Sequence, residues 1–123
     1  GAPFPMITAH KVLAAYGCLA PRIVTGQFDP IALEPQADSQ VIASICMLRG
    51  LGRWSAEVYL MFSLQRPDVF PAGDLALQRA LQKLKGWDNR PSADETRAAV
   101  AHWMPWRTVG SLFLWHFYRG TPT

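Results

Sequence analysis

A glycine hairpin and a carboxylate are the two features of this chain whose residue types and spacing could do chemistry. The hairpin occupies residues 48–54 (LRGLGRW), and Asp74 follows twenty positions after Trp54. Two glycines around an apolar residue, with apolar runs on both sides, predict two helices joined by a tight turn. Such a turn directs backbone N–H groups outward at a helix N-terminus, where they suit a phosphate oxygen. A hairpin of this kind, followed by a lone carboxylate in a positively charged chain, favours chemistry on nucleic acid.

The composition indicates one folded domain over residues 1–123. Half of the residues are hydrophobic and 17% are charged, which is too apolar for a disordered chain. Twelve lysines and arginines against nine acidic residues give a net charge of +3, and the isoelectric point is near 9.2. This excess is mild, so by itself it is only a weak indication of nucleic-acid binding.

The two cysteines, Cys18 and Cys46, are too few to form a metal or iron–sulfur cage. Their neighbours are apolar, so we expect buried free thiols in a reducing compartment. The sequence contains no apolar run of membrane-spanning length and no signal peptide. These features predict no membrane partner, and a cytoplasmic, nucleoid-associated protein in a bacterium or a nuclear one in a eukaryote.

Helical periodicity dominates the chain and no convincing alternating strand appears, which predicts an all-α fold. The first helix is expected near Thr8, and Asp29 is expected to cap a short helix that opens at Pro30. Asp38 or Ser39 is expected to cap the helix before the hairpin. The inner face of that helix is predicted to be apolar and consists of Val41, Ile42, Ile45 and Cys46.

Four further helices are predicted after the hairpin. A strongly apolar helix covers residues 53–64, and a proline-containing loop follows it. Asp74 is expected to cap the next helix, and Ser92 with Glu95 predicts a capping box for the one after that. The last helix is predicted over residues 106–118. The chain thus consists of helices joined by short linkers.

Three segments of the chain resemble the C-terminal part of the helix-hairpin-helix DNA glycosylases. They read GLGRWSAEVYLMF, RPDVFPAGDLALQRAL and HWMPWRTVGSLFLWHFYR. The branch that they resemble is the alkylpurine type, 3-methyladenine DNA glycosylase II, and the similarity extends over residues 41–119. The resemblance implies a helix-hairpin-helix bundle that is incomplete at its N-terminus. It also implies base-excision repair of double-stranded DNA, in which the enzyme flips out an alkylated purine such as 3-methyladenine and hydrolyses its N-glycosidic bond.

Asp74 has two possible roles. Aspartate at a helix start is a good N-cap, which is the ordinary interpretation of the residue taken alone. The resemblance makes Asp74 the catalytic carboxylate. Cleavage of an N-glycosidic bond builds positive charge on the sugar, and an anionic Asp74 would stabilise that charge and position or deprotonate a water molecule. The family commonly has an acidic residue just before this position, where this chain has Gly73.

Two tryptophans, Trp54 and Trp115, are candidates for the base pocket. Bifunctional members of the superfamily have, at the position of Trp54, a lysine that attacks the sugar, so the resemblance implies a monofunctional glycosylase without strand cleavage. Trp115 stands where the alkylpurine branch presents an indole to the extruded base, and an indole suits a cationic methylated purine. The alternative for both tryptophans is a core position. His116 is the one histidine expected near the pocket.

The resemblance also implies that the hairpin holds the DNA backbone. The residues that would contact phosphate are Arg49, Gly50, Leu51, Gly52 and Arg53. No cofactor is required, but family members often coordinate a monovalent cation, Na⁺ or K⁺, through main-chain carbonyls, which by position are those of Cys46, Leu48 and Leu51. Ordinary turn glycines are the alternative interpretation of the two hairpin glycines.

The N-terminal side of the fold is the main departure from the family. Family members have additional upstream helices that supply the other wall of the cleft, and this chain is expected to begin downstream of them. We therefore expect Trp115, Phe113 and the face of residues 59–62 to be exposed, and expect self-association through them. Two alternatives to a glycosylase remain open. One is a non-catalytic DNA-binding module that keeps only the hairpin, and the other is an all-α interaction module without nucleic acid.

Overall fold

This computed structural model describes residues 30–120 of the chain. They contain six α-helices and one 3₁₀ helix, joined by loops. The α-helices, in chain order, are α1 (Pro30–Leu33), α2 (Asp38–Cys46), α3 (Arg53–Phe62), α4 (Leu75–Lys85), α5 (Ala93–Val100) and α6 (Arg107–Gly120), and the 3₁₀ helix covers Ala101–Trp103. No strand occurs in residues 30–120, in agreement with the all-α prediction. The helix predicted near Thr8, the Asp29 cap and Cys18 lie outside the described residues.

The start of α5 follows directly from its local sequence. The Ser92 hydroxyl accepts the N–H of Glu95 at 3.1 Å, and the Glu95 carboxylate accepts the N–H of Ser92 at 3.0 Å. The predicted capping box is therefore confirmed. Hydrogen bonds from the backbone N–H and from the side chain of Ser92 hold the pKa of the Glu95 carboxyl below its usual range.

The start of α2 differs from the prediction. Ala37 is the N-cap, so neither Asp38 nor Ser39 caps the helix. The Asp38 carboxylate is used elsewhere, because its Oδ1 accepts a hydrogen bond from Nη1 of Arg66 at 2.7 Å. The capping prediction was wrong because this partner lies 28 positions away, beyond the reach of local sequence rules.

Helix α3 lies at the centre of the core. Its residues 56–61 are all buried, which requires a helix that is apolar on nearly every side. Helix α2 packs along α3, and α4 packs against α6. The side chains enclosed most completely include Val41, Ile45, Leu60, Leu77, Leu81 and Leu114. None of the helices in residues 30–120 is both long and apolar enough to span a membrane.

An ion pair ties the loop between α3 and α4 to the start of α6. Arg107 donates from Nε to Oδ1 of Asp68 at 2.7 Å and from Nη2 to Oδ2 at 2.9 Å. The side-chain hydrogen bonds hold the pKa of the Asp68 carboxyl below its usual range. The Thr108 hydroxyl donates to the Arg66 carbonyl at 2.6 Å and accepts the Val69 N–H at 2.9 Å. The loop that leads to Asp74 is thus anchored to a helix.

The structure contradicts several predictions of which side chains are exposed to solvent and which are buried. Trp115 and Tyr59 have only 3% and 6% of their surface exposed, because α3, α4 and α6 pack around them. Phe113 is 53% exposed, as expected. Cys46, predicted to be buried, is exposed because it is the last residue of α2, where the chain leaves the core for the hairpin.

Candidate active site

Asp74 is almost completely buried at the N-terminus of α4, with 2% of its surface exposed. It is the N-cap residue, and its Oδ1 accepts the backbone N–H of Leu77 at 3.0 Å. The predicted capping role is therefore confirmed. The carboxylate has further contacts that a helix cap does not require.

Two indoles donate hydrogen bonds to Asp74 from different helices. Nε1 of Trp54, in the first turn of α3, donates to Oδ2 at 2.8 Å. Nε1 of Trp115, on α6, donates to Oδ1 at 3.3 Å. An ionised carboxylate can only accept hydrogen bonds, and these N–H groups engage both of its oxygens. The structure therefore brings together the three residues that the sequence pointed to for catalysis and for the base pocket.

An open pocket of about 350 Å³ lies beside Asp74 at the N-terminus of α4. The described residues that line it are Trp54, Gly73, Asp74 and Leu75. A side chain at Gly73 would point into open space, since no heavy atom lies within 4 Å of where its Cβ would be. The chain has glycine where the family commonly has an acidic residue, so no side chain occupies this space next to Asp74.

The two tryptophans have different surroundings. Trp54 is partly exposed and lines the pocket. Trp115 is buried and stacks on Phe62, with ring centroids 6.2 Å apart and an interplanar angle of 23°. His116 is exposed and is not among the described residues that line the pocket. In this conformation the aromatic surface that the pocket offers to a ligand is therefore that of Trp54.

A tight turn joins α2 and α3, as the glycine pattern predicts. Gly50 has a φ of +84°, a left-handed conformation that side chains other than glycine adopt only with strain. Leu51 is buried and its N–H bonds to the Leu48 carbonyl at 3.2 Å, which closes the turn. Gly52 is the N-cap of α3 and supplies no side chain to its first N–H groups. Both hairpin glycines are exposed, and so are the two arginines that flank them, Arg49 and Arg53.

The carbonyls proposed for a monovalent cation lie within this turn. The Leu48 carbonyl accepts the Leu51 N–H, but a carbonyl has two lone pairs and retains one for a further partner. Uncharged main-chain oxygens from Cys46, Leu48 and Leu51 are a donor set that suits a weakly held hard cation. Within residues 30–120, no cluster of three or more histidine, cysteine or acidic side chains could hold a metal ion.

Glu57 is a functional candidate that the sequence did not suggest. Its side chain is 6% exposed in the middle of the otherwise apolar helix α3, and a cavity of about 250 Å³ adjoins it. Burial raises the pKa of the Glu57 carboxyl to about 7, against the opposing effect of nearby arginines, of which Arg53 is the strongest. A glutamate inside the apolar run AEVYLM was the signal that could have revealed it.

Comparisons with known proteins point to one family. No protein-family model matches the chain. A Bacillus subtilis protein, provisionally named a DNA-3-methyladenine glycosylase, is 33% identical over 93 residues, which cover 76% of this chain and 32% of the relative. The chain spans about a third of the length of the curated relatives it matches.

Two solved structures have the same fold. The 3-methyladenine DNA glycosylase of Schizosaccharomyces pombe, in complex with abasic DNA, superposes with a TM-score of 0.74 at 26% identity, over 82% of this chain and 50% of that chain. A DNA-3-methyladenine glycosidase from Bacillus halodurans superposes with a TM-score of 0.69 at 31% identity, over 89% of this chain and 50% of that chain.

Proposed function

We propose that this chain, which belongs to the alkylpurine branch of the helix-hairpin-helix DNA glycosylases, is the part of a repair enzyme that holds the catalytic carboxylate. The substrate is double-stranded DNA that contains an alkylated purine such as 3-methyladenine. The reaction breaks the bond between C1′ of the deoxyribose and the purine nitrogen, and the electron pair leaves with the base. Water supplies a hydroxyl group to C1′ and a proton, which leaves a free purine and an abasic site.

The observation that carries this proposal is the placement of Asp74 beside a pocket, with two indole N–H groups holding its carboxylate. An alkylated purine is already an activated leaving group, so the bond needs little acid catalysis. What the transition state needs is a negative charge near the sugar as it becomes cationic. Asp74 supplies this charge, and its fixed hydrogen bonds mean that little reorganisation is required during the reaction.

The flipped base would enter the pocket against Trp54. An electron-rich indole attracts a cationic methylated purine, a cation–π interaction that contributes about 1–2 kcal/mol when desolvated. Trp115 contributes to the same site by bonding to Asp74, and it becomes a second stacking surface only if it separates from Phe62. An indole has no nucleophilic amine, so the mechanism stays hydrolytic and leaves the strand intact.

The hairpin would anchor the duplex through its backbone. Outward N–H groups at the start of α3 suit a phosphate oxygen, and such contacts position DNA without reading its sequence. Arg49 and Arg53 add attraction that weakens with salt. A Na⁺ or K⁺ ion on the carbonyls of Cys46, Leu48 and Leu51 would add positive charge at the same place. A protein with this partner would work at the bacterial nucleoid or in a nucleus.

A non-catalytic DNA-binding module is the second candidate function. Two observations favour this module. Trp115 is buried, so a flipped base would lack one stacking surface. The chain also covers only 50% of each of the two solved relatives. Incubation with methylated duplex DNA, followed by chromatography of released bases, separates the two functions. Release of 3-methyladenine supports the glycosylase, whereas salt-dependent duplex binding without release supports the module.

Self-association is a further part of the proposal. The exposed apolar side chains Trp106, Val109 and Phe113 recur along the α6 side of the molecule, with 62%, 61% and 53% of their surfaces accessible. Exposed apolar side chains that form a contiguous patch usually mark an interface. Light scattering over a concentration series tests this directly, and a monomer at every concentration would contradict it.

A further inference from the structure

The Arg53–Glu57 pair joins an exposed guanidinium at the hairpin to a buried carboxylate. The two residues are one turn apart on α3, with Arg53 Nε 3.5 Å from Glu57 Oε1. The side chain of Arg53 is 55% exposed, whereas that of Glu57 is 6% exposed. Arg53 can therefore reach a ligand in solvent while Glu57 cannot.

Glu57 faces charged groups from every element that packs around it. They line the same cavity and are Asp38 on α2, Arg53 on α3, Asp68 in the following loop, Arg97 on α5 and Arg107 on α6. Most of these groups have their own ion-pair partners, since Asp38 pairs with Arg66, Asp68 with Arg107 and Arg97 with Asp94. Arg53 is the arginine that pairs with Glu57.

Burial sets the charge state of Glu57. Removal from water disfavours the carboxylate and raises its pKa to about 7, and Arg53, Arg97 and Arg107 only partly oppose this effect. The carboxyl therefore exchanges a proton with solvent in the neutral range. Its ionised form pairs with Arg53 and cancels much of that residue's charge, whereas its neutral form does not.

We propose that Glu57 is a positioning residue for Arg53, which it withdraws from DNA phosphate when ionised and releases when protonated. This inference rests on the proposed DNA-binding role of the hairpin. When a DNA phosphate binds the Arg53 guanidinium, the Glu57 carboxylate loses the cation that stabilises it. Duplex binding is therefore linked to uptake of a proton from solvent by those molecules in which Glu57 is ionised, and this linkage grows as the pH rises through 7.

The test is the affinity for an undamaged duplex, measured by fluorescence anisotropy between about pH 6 and about pH 8 at constant ionic strength. We expect the wild-type affinity to fall with rising pH by roughly fivefold or more. Glu57→Gln keeps the length of the side chain but stays neutral. At every pH it should therefore bind the duplex with the affinity that the wild type has at about pH 6. Asp88→Asn is the control, because Asp88 is exposed and does not line the cavity beside Glu57.

Arg53→Gln is a second test, made at the exposed partner of the ion pair, so it leaves the buried Glu57 side chain itself in place. It should weaken binding and also flatten the pH profile. An unchanged profile in Glu57→Gln, or a wild-type profile in Arg53→Gln, would overturn the proposal for Glu57 and leave the proposed function intact. A wild-type chain that binds no duplex at any pH would instead overturn the proposed function, and this inference with it. Thermal melts of each variant establish that the compared chains are folded.

Discussion

The indole of Trp54 donates to Oδ2 of Asp74 at 2.8 Å, across twenty positions of sequence. Trp54 belongs to the first turn of α3, which directly follows the hairpin, and Asp74 is the N-cap of α4. One hydrogen bond thus joins the element proposed to hold the DNA backbone to the group proposed to act on the sugar. The packing of α3 and the anchored loop fix the distance between the hairpin and Asp74, so a duplex bound at the hairpin would meet the carboxylate in a defined position.

Asp74→Asn should abolish base excision, with a loss of at least about a hundredfold, because the neutral amide cannot stabilise a cationic sugar. Asparagine is also a good N-cap, so the start of α4 should persist. Duplex affinity should be unchanged or slightly higher. The measurement is the single-turnover release of 3-methyladenine, with Asp88→Asn at an exposed position as the control. Normal excision by the Asp74→Asn variant would rule out Asp74 as the catalytic group.

Trp54→Phe should slow excision by about tenfold to a hundredfold, because it removes one hydrogen bond to a charged group, typically ~1.5–3 kcal/mol, but keeps an aromatic wall. Binding to undamaged duplex should not change. Trp87→Phe is the matched control, since Trp87 lies in the loop after α4, away from Asp74. An equal effect of the two substitutions on the excision rate would show that the hydrogen bond to Asp74 has no special role.

Borohydride reduction during the reaction should trap no covalent complex between protein and DNA. A trapped complex needs an imine from an amine nucleophile, and this chain has Trp54 where such a lysine would stand. Gel electrophoresis of the reduced mixture checks this, with a bifunctional glycosylase as the positive control. A borohydride-dependent band that contains both protein and DNA would contradict the monofunctional assignment.

The residues predicted best are those whose environment is set by near neighbours. The capping box depends only on Ser92 and Glu95, which are three positions apart. The glycine hairpin depends only on the few residues of one short turn. Asp38 and Trp115 were misjudged because their surroundings depend on partners far away in sequence, Arg66 for the first and Phe62 for the second. Family resemblance located Asp74, but only the fold could show that both indole N–H groups converge on its carboxylate.

Gly50→Val should weaken binding to damaged and undamaged duplexes by the same factor. The residue needs a φ of +84°, which costs a residue with a Cβ ~1–2 kcal/mol or more and distorts the turn. A phosphate contact carries no sequence information, so no duplex should be favoured. Anisotropy titrations with both duplexes measure this, and Gly120→Ala at the end of α6 is the control because its added Cβ meets open space. Loss confined to lesion-bearing DNA would exclude a backbone-binding role for the hairpin.

The free energy of unfolding should fall as the pH rises from 4.5 through 7, and Glu57→Gln should largely remove this fall. In the folded chain the pKa of Glu57 is about 7, above its ordinary value of 4.5, so the folded state holds a proton that the unfolded state releases. The stabilisation is fully present below pH 4.5 and is lost as the pH rises through 7; a shift of this size corresponds to about 3 kcal/mol. Denaturant unfolding at several pH values measures it, with Asp88→Asn, at an exposed position outside the Glu57 cavity, as the control. The decisive quantity is the difference between the wild-type and Glu57→Gln profiles, and parallel profiles would show that Glu57 does not carry the proton.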